Sequence, residues 1–344
     1  MRIGVLTGGG DVPGLNAAIR AVARRSFVCG YEVRAIKNGW AGLAEGNIVP
    51  LTRSMVSGIL HVGGTILGAS RTNPFRDKAI VRVCLDHFQA FGLDAVVAIG
   101  GEDTLGVATR FYEEHQMPVV GVPKTMDNDV RGTDYCIGFD TAVTTVTDAL
   151  DKLHTTASAH HRAIVVEVMG RHAGWVALIG GLAGGADYIF TPEVEGSLEA
   201  VCEHLQKRWQ QGSTFSIIVV SEGAKIKEIA YSEEELGDKD EFGHVRLDRR
   251  GLAETVAKEI ERRTGFESRS VVLGHLQRGG SPTVFDRVLA TRLGVHAVDL
   301  VTAGKFGYMA ALQGNKVVSV PLKEATSGIK TVDAELYELA RNFF

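Results

Sequence analysis

A chain of 344 residues is longer than one ordinary domain and comfortable for two. Its 45% hydrophobic content supplies a sizeable core, and 23% charged residues is ordinary for a soluble protein. A formal net charge of -4 gives no general pull toward nucleic acid or an acidic membrane, so any bound anion must be held by local groups.

Short β-branched runs alternate with helix-period segments, the pattern of parallel strands joined by crossover helices. Buried strands are predicted at Arg2–Leu6, Glu32–Ile36, Ala95–Ile99, Val119–Val122, Ala163–Val168, Ile217–Val220 and Val271–Leu273. After the first strand, Leu15, Ala18, Ile19 and Val22 recur at helical spacing. A second helix is predicted to start near Asp140 as N-cap, with Val143, Val146, Leu150 and Leu153 on one stripe. A third runs from Leu252 to Arg263 and stops at Gly265. The acidic stretch Ser232 to Glu241 reads as a solvated surface segment.

The four cysteines, Cys29, Cys84, Cys136 and Cys202, form no CxxC pair, which argues against a disulfide framework or a zinc site. The N-terminus lacks the pattern of a secretory leader, and the longest apolar region, Ala173 to Ala186, is too short and glycine-rich to span a membrane. A cytoplasmic protein with neither nucleic acid nor membrane as partner is the expectation.

In an open parallel sheet, ligands bind outside the carboxyl ends of the strands. Gly8-Gly9-Gly10 follows the first strand and leads into a helix start, where close backbone approach and free N–H groups suit an anion; a plain tight turn would account for it equally well. Pro13 stands where the last glycine of GxGxxG belongs, and no GxxxxGK[ST] occurs, so dinucleotide and P-loop readings fit worse. Gly100-Gly101-Glu102-Asp103-Thr104 places two adjacent carboxylates at a strand end, suited to Mg²⁺ or simply to a helix N-terminus.

Pro123-Lys124-Thr125-Met126-Asp127-Asn128-Asp129 gathers a lysine, a hydroxyl, an amide and two carboxylates at a third strand end. Asp127 and Asp129 are two apart and would face one side of an extended segment, one accepting a proton while the other tunes it or a metal. Met169-Gly170-Arg171 ends the strand Ala163–Val168, with Arg171 a natural stabiliser of a transferring phosphoryl group. Arg162 would sit at the opposite end of that strand, which hints at a subunit boundary. His160 and His161 read as surface residues. Glu222 follows Ile217–Val220, and His275 with Arg278 could grip a phosphate ester together, or belong to a polar loop capping the next helix.

Together these segments resemble the phosphofructokinase family from residue 1 to about residue 325. The resemblance rests on TGGGDVPGLNAAIR (7–20), GGTILGASR (63–71), GGEDT (100–104), PKTMDNDV (123–130), VVEVMGRHAG (165–174), SEG (221–223) and LGHLQRGGSPTVFDR (273–287). It implies two doubly wound, Rossmann-like parallel-sheet α/β domains with the active site in the cleft between them. The expected division is residues 1–139 plus 251–305 for the phosphoryl donor and Mg²⁺, and 140–250 plus 306–344 for fructose 6-phosphate.

The resemblance also implies roles. Asp127 would be the general base for the 1-hydroxyl of fructose 6-phosphate, in glycolysis or gluconeogenesis. Thr125, Met169, Gly170, Glu222, His275 and Arg278 would hold the sugar phosphate. Arg162 and Arg269 would reach the 6-phosphate from a neighbouring subunit of a homotetramer or homodimer. Gly10, Arg71 and Glu102 would serve the donor, with Glu102 on Mg²⁺, and Arg171 would neutralise the transition state.

Two positions bear on the donor. In members that use ATP, the segments resemble GGDGS and PGTIDND, with glycine in place of Asp103 and Lys124; here both are charged, as in members that use pyrophosphate. A carboxylate where an α-phosphate would lie repels it by about 4 kcal/mol at ~4 Å and an effective dielectric of about 20. Lys124 supplies cationic stabilisation to a small donor that brings no nucleoside. Pyrophosphate is therefore the expected donor, with an ATP-dependent 6-phosphofructokinase of the same family as the alternative.

Three departures qualify the resemblance. Glu102 replaces the usual aspartate. At the effector site known in some ATP-using bacterial members, Arg20, Arg24 and Arg53 are matched, but His154 replaces an arginine and Ser213 sits near an expected lysine, so effector regulation is not expected. The tail beyond residue 325 offers no motif.

Overall fold

The computed structural model describes residues 1–229, 247 and 250–343; the acidic stretch Ser232 to Glu241 lies outside them. In chain order the strands are β1 (Arg2–Thr7), β2 (Glu32–Ile36), β3 (Ile48–Pro50), β4 (Ala95–Gly100), β5 (Val119–Pro123), β6 (Ala163–Val168), β7 (Tyr188–Phe190), β8 (Ser216–Ser221), β9 (Ser268–Val272), β10 (Tyr308–Gln313) and β11 (Lys316–Pro321). The helices are α1 (Leu15–Val28), α2 (Gly39–Glu45), α3 (Lys78–Ala90), α4 (Glu102–His115), α5 (Phe139–His160), α6 (Trp175–Ala183), α7 (Leu198–Gln210), α8 (Leu252–Thr264), α9 (Val284–Thr302), α10 (Leu322–Ala325) and α11 (Ala334–Arg341).

Two compact units divide the chain, Met1–Thr141 with Arg278–Ile329, and Ala142–Gln277 with Lys330–Phe344. The first carries a seven-stranded sheet in the order β11-β10-β5-β4-β1-β2-β3. Its β1, β2, β4, β5 and β10 run parallel, while β3 and β11 pair antiparallel at the two edges. Each fully buried Ile, Val or Leu on β1 and β4 contributes about 1.5–3 kcal/mol. The chain leaves β1 for β2 on one side and returns to β4 on the other, so the strand order reverses between β1 and β4. That reversal opens a crevice above their carboxyl ends. Helix α9 lies close on α1 because Gly294 has no side chain: a Cβ there would stand 2.8 Å from that of Ala21.

The second unit holds a four-stranded parallel sheet, β7-β8-β6-β9, among the described residues. Phe190, Leu205, Ile218, Val256 and Ile260 form part of its buried core between sheet and helices.

The division differs from the sequence expectation in two places. Residues 251–277 supply α8 and β9, and β9 pairs with β6, so they belong to the second unit. Residues 306–329 supply β10 and β11, and β10 pairs with β5, so they belong to the first. Asp140 is not the cap of α5: it lies inside the first turn and accepts the Thr283 hydroxyl at 2.6 Å.

Candidate active site

In the first unit, three strand ends of the large sheet converge. The amide of Gly8 donates to Ile99 O at 3.0 Å and that of Lys124 to Gly100 O at 3.0 Å, stitching the loops after β1, β4 and β5 side by side. Thr104, buried in the first turn of α4, fills the space beneath them. A Cβ at Gly8 would stand 2.4 Å from its hydroxyl, and one at Gly100 2.3 Å from its Cβ. These contacts, more than backbone freedom, require glycine at both positions. Gly9 (φ 76°) donates to Ser70 O at 3.0 Å, which ties the backbone just before Arg71 to the same loop.

Lys124 enters this loop from below. Only 2% exposed, its Nζ donates to Gly8 O at 2.8 Å and to Gly10 O at 2.6 Å. Burial, and next the nearby Arg278 guanidinium, push its pKa down to about 7, against the pull of Asp11 and Asp129. Arg278 itself belongs to this first unit. It donates to Asp11 O at 3.3 Å, and a Cβ at Gly10 would displace its Nη1, 2.4 Å away.

Glu102 and Asp103 occupy the first turn of α4, where carboxylates are favoured by the free N–H groups. The acidic segment after β5 is a turn rather than an extended strand. Asn128 adopts a left-handed conformation (φ 52°), with its amide nitrogen donating to Asp134 O at 3.0 Å and its oxygen accepting Cys136 N–H at 2.8 Å. Asp127 and Asp129 therefore do not share one side of an extended segment, yet the two carboxylates remain close enough to interact. Burial first, then the charges of Asp127 and Glu102, hold Asp129 well above the usual carboxylate range, although it accepts from Thr125. Thr125 Oγ1 also accepts the Asp127 N–H at 3.1 Å. Asp127 Oδ1 is buried and has no hydrogen-bond partner among the described residues. A buried orphan acceptor costs about 1–3 kcal/mol, so this one is poised to take an incoming donor.

In the second unit, the carboxyl ends of β6 and β8 are tied together. Glu222 N–H donates to Val168 O at 2.9 Å, Gly223 N–H to Gly170 O at 3.1 Å and the Ser221 hydroxyl to the same Gly170 oxygen at 2.5 Å. Gly170 (φ 138°) has Ala173 O and Ser221 Oγ both 2.8 Å from where a Cβ would be, so it must be glycine. Met169, Gly170, Arg171 and Glu222 thus share one edge of the small sheet. His275, exposed in the turn after β9, lies at the same carboxyl-end edge. Gln277, to which the sequence reading gave no role, is fully buried; it accepts Met169 N–H at 3.3 Å and donates to Gly274 O at 3.1 Å.

Arg162 and Arg269 sit at the opposite edge, at the amino ends of β6 and β9. Both pair with Glu267, Arg162 at 2.8 Å. The length of β6 separates them from Met169 by roughly 20 Å. At the positions matched to the effector site, Arg53 lies over the Phe27 ring at 5.0 Å and His154 bonds Gly184 O at 2.8 Å. His160 and His161 are exposed.

Among the described residues, no three His, Cys, Asp or Glu side chains converge to hold a metal on protein ligands alone. Mg²⁺ ordinarily uses one or two carboxylates and completes its shell with phosphate oxygens and water. The mutual repulsion of Glu102, Asp127 and Asp129 fits that kind of site.

Comparison with known proteins agrees with this geometry. The phosphofructokinase family profile (Phosphofructokinase) matches residues 2–301. A Streptomyces coelicolor protein named pyrophosphate–fructose 6-phosphate 1-phosphotransferase is 54% identical over 100% of both chains. A Dictyoglomus thermophilum protein of the same name is 50% identical over 100% of this chain and 99% of its own. A Streptomyces coelicolor protein named ATP-dependent 6-phosphofructokinase 3 is 48% identical over 98% of both. Among solved structures, Saccharomyces cerevisiae phosphofructokinase superposes with a TM-score of 0.83 at 31% identity, over 99% of this chain and 50% of that one. A glycine loop above β1, an acidic turn after β5 and a full-length match to these relatives lead to one assignment: the chain belongs to the phosphofructokinase family.

Proposed function

We propose that the protein transfers a phosphoryl group from pyrophosphate to the 1-hydroxyl of fructose 6-phosphate, giving fructose 1,6-bisphosphate and phosphate. Overall similarity does not separate the donors, since relatives named for pyrophosphate and for ATP lie at 54% and 48% identity. The observation that carries the donor is Lys124, an ammonium buried beneath Gly8 and Gly10. Such a charge is costly to bury, and a compact, highly charged anion on the loop above it would offset that cost. Asp103, in the first turn of α4, is the second element, set against a nucleotide's α-phosphate.

In this reading Asp127 accepts the proton of the 1-hydroxyl through its unpartnered Oδ1. The hydroxyl oxygen then bonds to one phosphorus as the bridging P–O bond breaks, and phosphate leaves carrying that electron pair. Lys124 and Arg171 stabilise the charge that develops on the transferring group, and Asp129 tunes Asp127. Glu102 would bind Mg²⁺, which when present neutralises phosphate charge and orients the donor. Gly10 and Arg71 line the donor side. Thr125, Met169, Gly170, Glu222, His275 and Arg278 hold the sugar phosphate.

Arg162 and Arg269, at the far edge of the small sheet, would serve the 6-phosphate of a neighbouring subunit in a homodimer or homotetramer. The exchange of an anhydride for an ester is expected to run in both directions. Phosphorus NMR of enzyme, Mg²⁺, pyrophosphate and fructose 6-phosphate tests the reading: a new 1-phosphate ester signal with matching orthophosphate is expected. Persistence of both substrates unchanged would overturn it.

A further inference from the structure

A second cavity lies wholly within the second unit and belongs to none of the groups above. Its volume is about 490 Å³, within the range of small-ligand sites. It opens at the carboxyl end of the edge strand β7 and is bounded on another side by α11. The rings of Tyr188, Phe190 and Tyr337 supply its aromatic wall, the first two 4.9 Å apart between centroids.

Its polar wall is mostly anionic. Glu193 uses one carboxylate oxygen to accept Gly174 N–H at 2.8 Å and Val332 N–H at 3.0 Å, while its other oxygen is buried and has no partner among the described residues. Thr191 is 1% exposed, and its buried hydroxyl likewise has no partner among them. Glu195 and Glu338 add two further carboxylates. Against these stand two cations. Arg341 is spent on both oxygens of Glu338, at 2.9 and 3.1 Å, and Lys227 reaches Glu195 only at 3.9 Å with both side chains about 60% exposed. Tyr337 lies within electrostatic reach of Tyr188, Arg341, Glu338 and Glu193, which places these groups around one space.

The chemistry narrows the occupant. An anion would meet the carboxylates of Glu193, Glu195, Asp333 and Glu338, and the N–H groups of Leu198 and Glu199 at the start of α7 are already taken by Glu228. A bare metal ion lacks three converging ligands among the described residues. What remains is a cation with an organic body. We propose that this cavity binds a small aliphatic ammonium ion of the polyamine type, its charged nitrogen on Glu193 and Thr191 and its methylenes against the tyrosine faces. An ammonium over an aromatic face and beside carboxylates gains from both.

The test is isothermal titration of the full chain with spermidine, free of phosphate ligands and at low salt. Saturable binding at one site per chain is expected, with Kd below ~1 mM. Glu195→Gln, at an exposed position, and Thr191→Val, nearly isosteric, should each weaken it by about fivefold or more. Both variants should keep the wild-type circular dichroism spectrum, and Tyr337→Ala gives a third readout on the aromatic wall. No saturable heat below ~5 mM would overturn the proposal. Equal affinity in Glu195→Gln and Thr191→Val would overturn it too, as would an equal response to sodium chloride at matched ionic strength.

Discussion

The ammonium of Lys124 donates to the carbonyl oxygen of Gly10 at 2.6 Å, joining the strand end after β5 to the loop after β1. Burial holds its pKa down to about 7 in the free protein. A polyanion above the loop favours the charged form and raises that value. Between about pH 7 and 9 the bound state then carries more protons than the free state, so pyrophosphate binding takes up protons; below about pH 6 lysine is charged in both states and the effect vanishes. Calorimetry in buffers of different ionisation enthalpy, comparing wild type with Lys124→Met at saturating pyrophosphate, should show this uptake only in wild type. The same variant should lose about 10²–10³ in turnover.

Asp127 offers a second prediction. Its Oδ1 has no hydrogen-bond partner among the described residues and so adds no bond to the folded state, and its charge raises the pKa of Asp129. Asp127→Asn should therefore leave the melting temperature equal or slightly higher, while turnover falls about 10²–10⁴-fold. The KM for fructose 6-phosphate should change much less. A large drop in stability would mean the carboxylate is part of the scaffold instead.

Asn128 is the scaffold. Removing its amide leaves Asp134 O and the buried Cys136 N–H without that partner. Asn128→Ala should cost about 2–4 kcal/mol, with added strain at positive φ. Asn128→Gly relieves the strain but not the lost bonds, so denaturant unfolding should place it between Ala and wild type. Both variants should lose turnover, because the turn that aims Asp127 is loosened.

Arg162 and Asp127 test the shared-subunit arrangement. Arg162→Ala and Asp127→Asn should each be nearly inactive alone. Refolded together, hybrids would contain sites in which one chain supplies Asp127 and another supplies Arg162, and activity should return. Failure to recover activity in demonstrated hybrids would place Arg162 outside the reaction.

The strands that frame the crevice were legible because β1, β4 and β5 are continuous apolar runs ended by glycine, proline or charge, and the sheet puts those endings together. The hairpin β10–β11 turns at Gly314-Asn315, which join Gln313 to Lys316, but Met309-Ala310-Ala311-Leu312 lacks β-branched residues and does not announce a strand. The three-residue strands β3 and β7 are too short for periodicity to show. The turn at Asn128 depends on bonds to residues six and eight positions on, which a local reading of extended chain does not reveal. The cavity beside β7 requires the chain to return at Val332 to Glu193, a contact no local pattern encodes. Composition of the donor loop was plain in the sequence, but Lys124 lying beneath the glycines rather than out in the crevice was not.

The donor assignment is tested most directly by kcat/KM for pyrophosphate and for ATP, measured with fructose 6-phosphate on wild type and on Asp103→Gly combined with Lys124→Gly. The account predicts turnover with pyrophosphate and almost none with ATP in wild type, and a severe loss with pyrophosphate, with ATP binding gained, in the double variant. Turnover with ATP and none with pyrophosphate in wild type would contradict it, as would unchanged pyrophosphate activity when both side chains are removed.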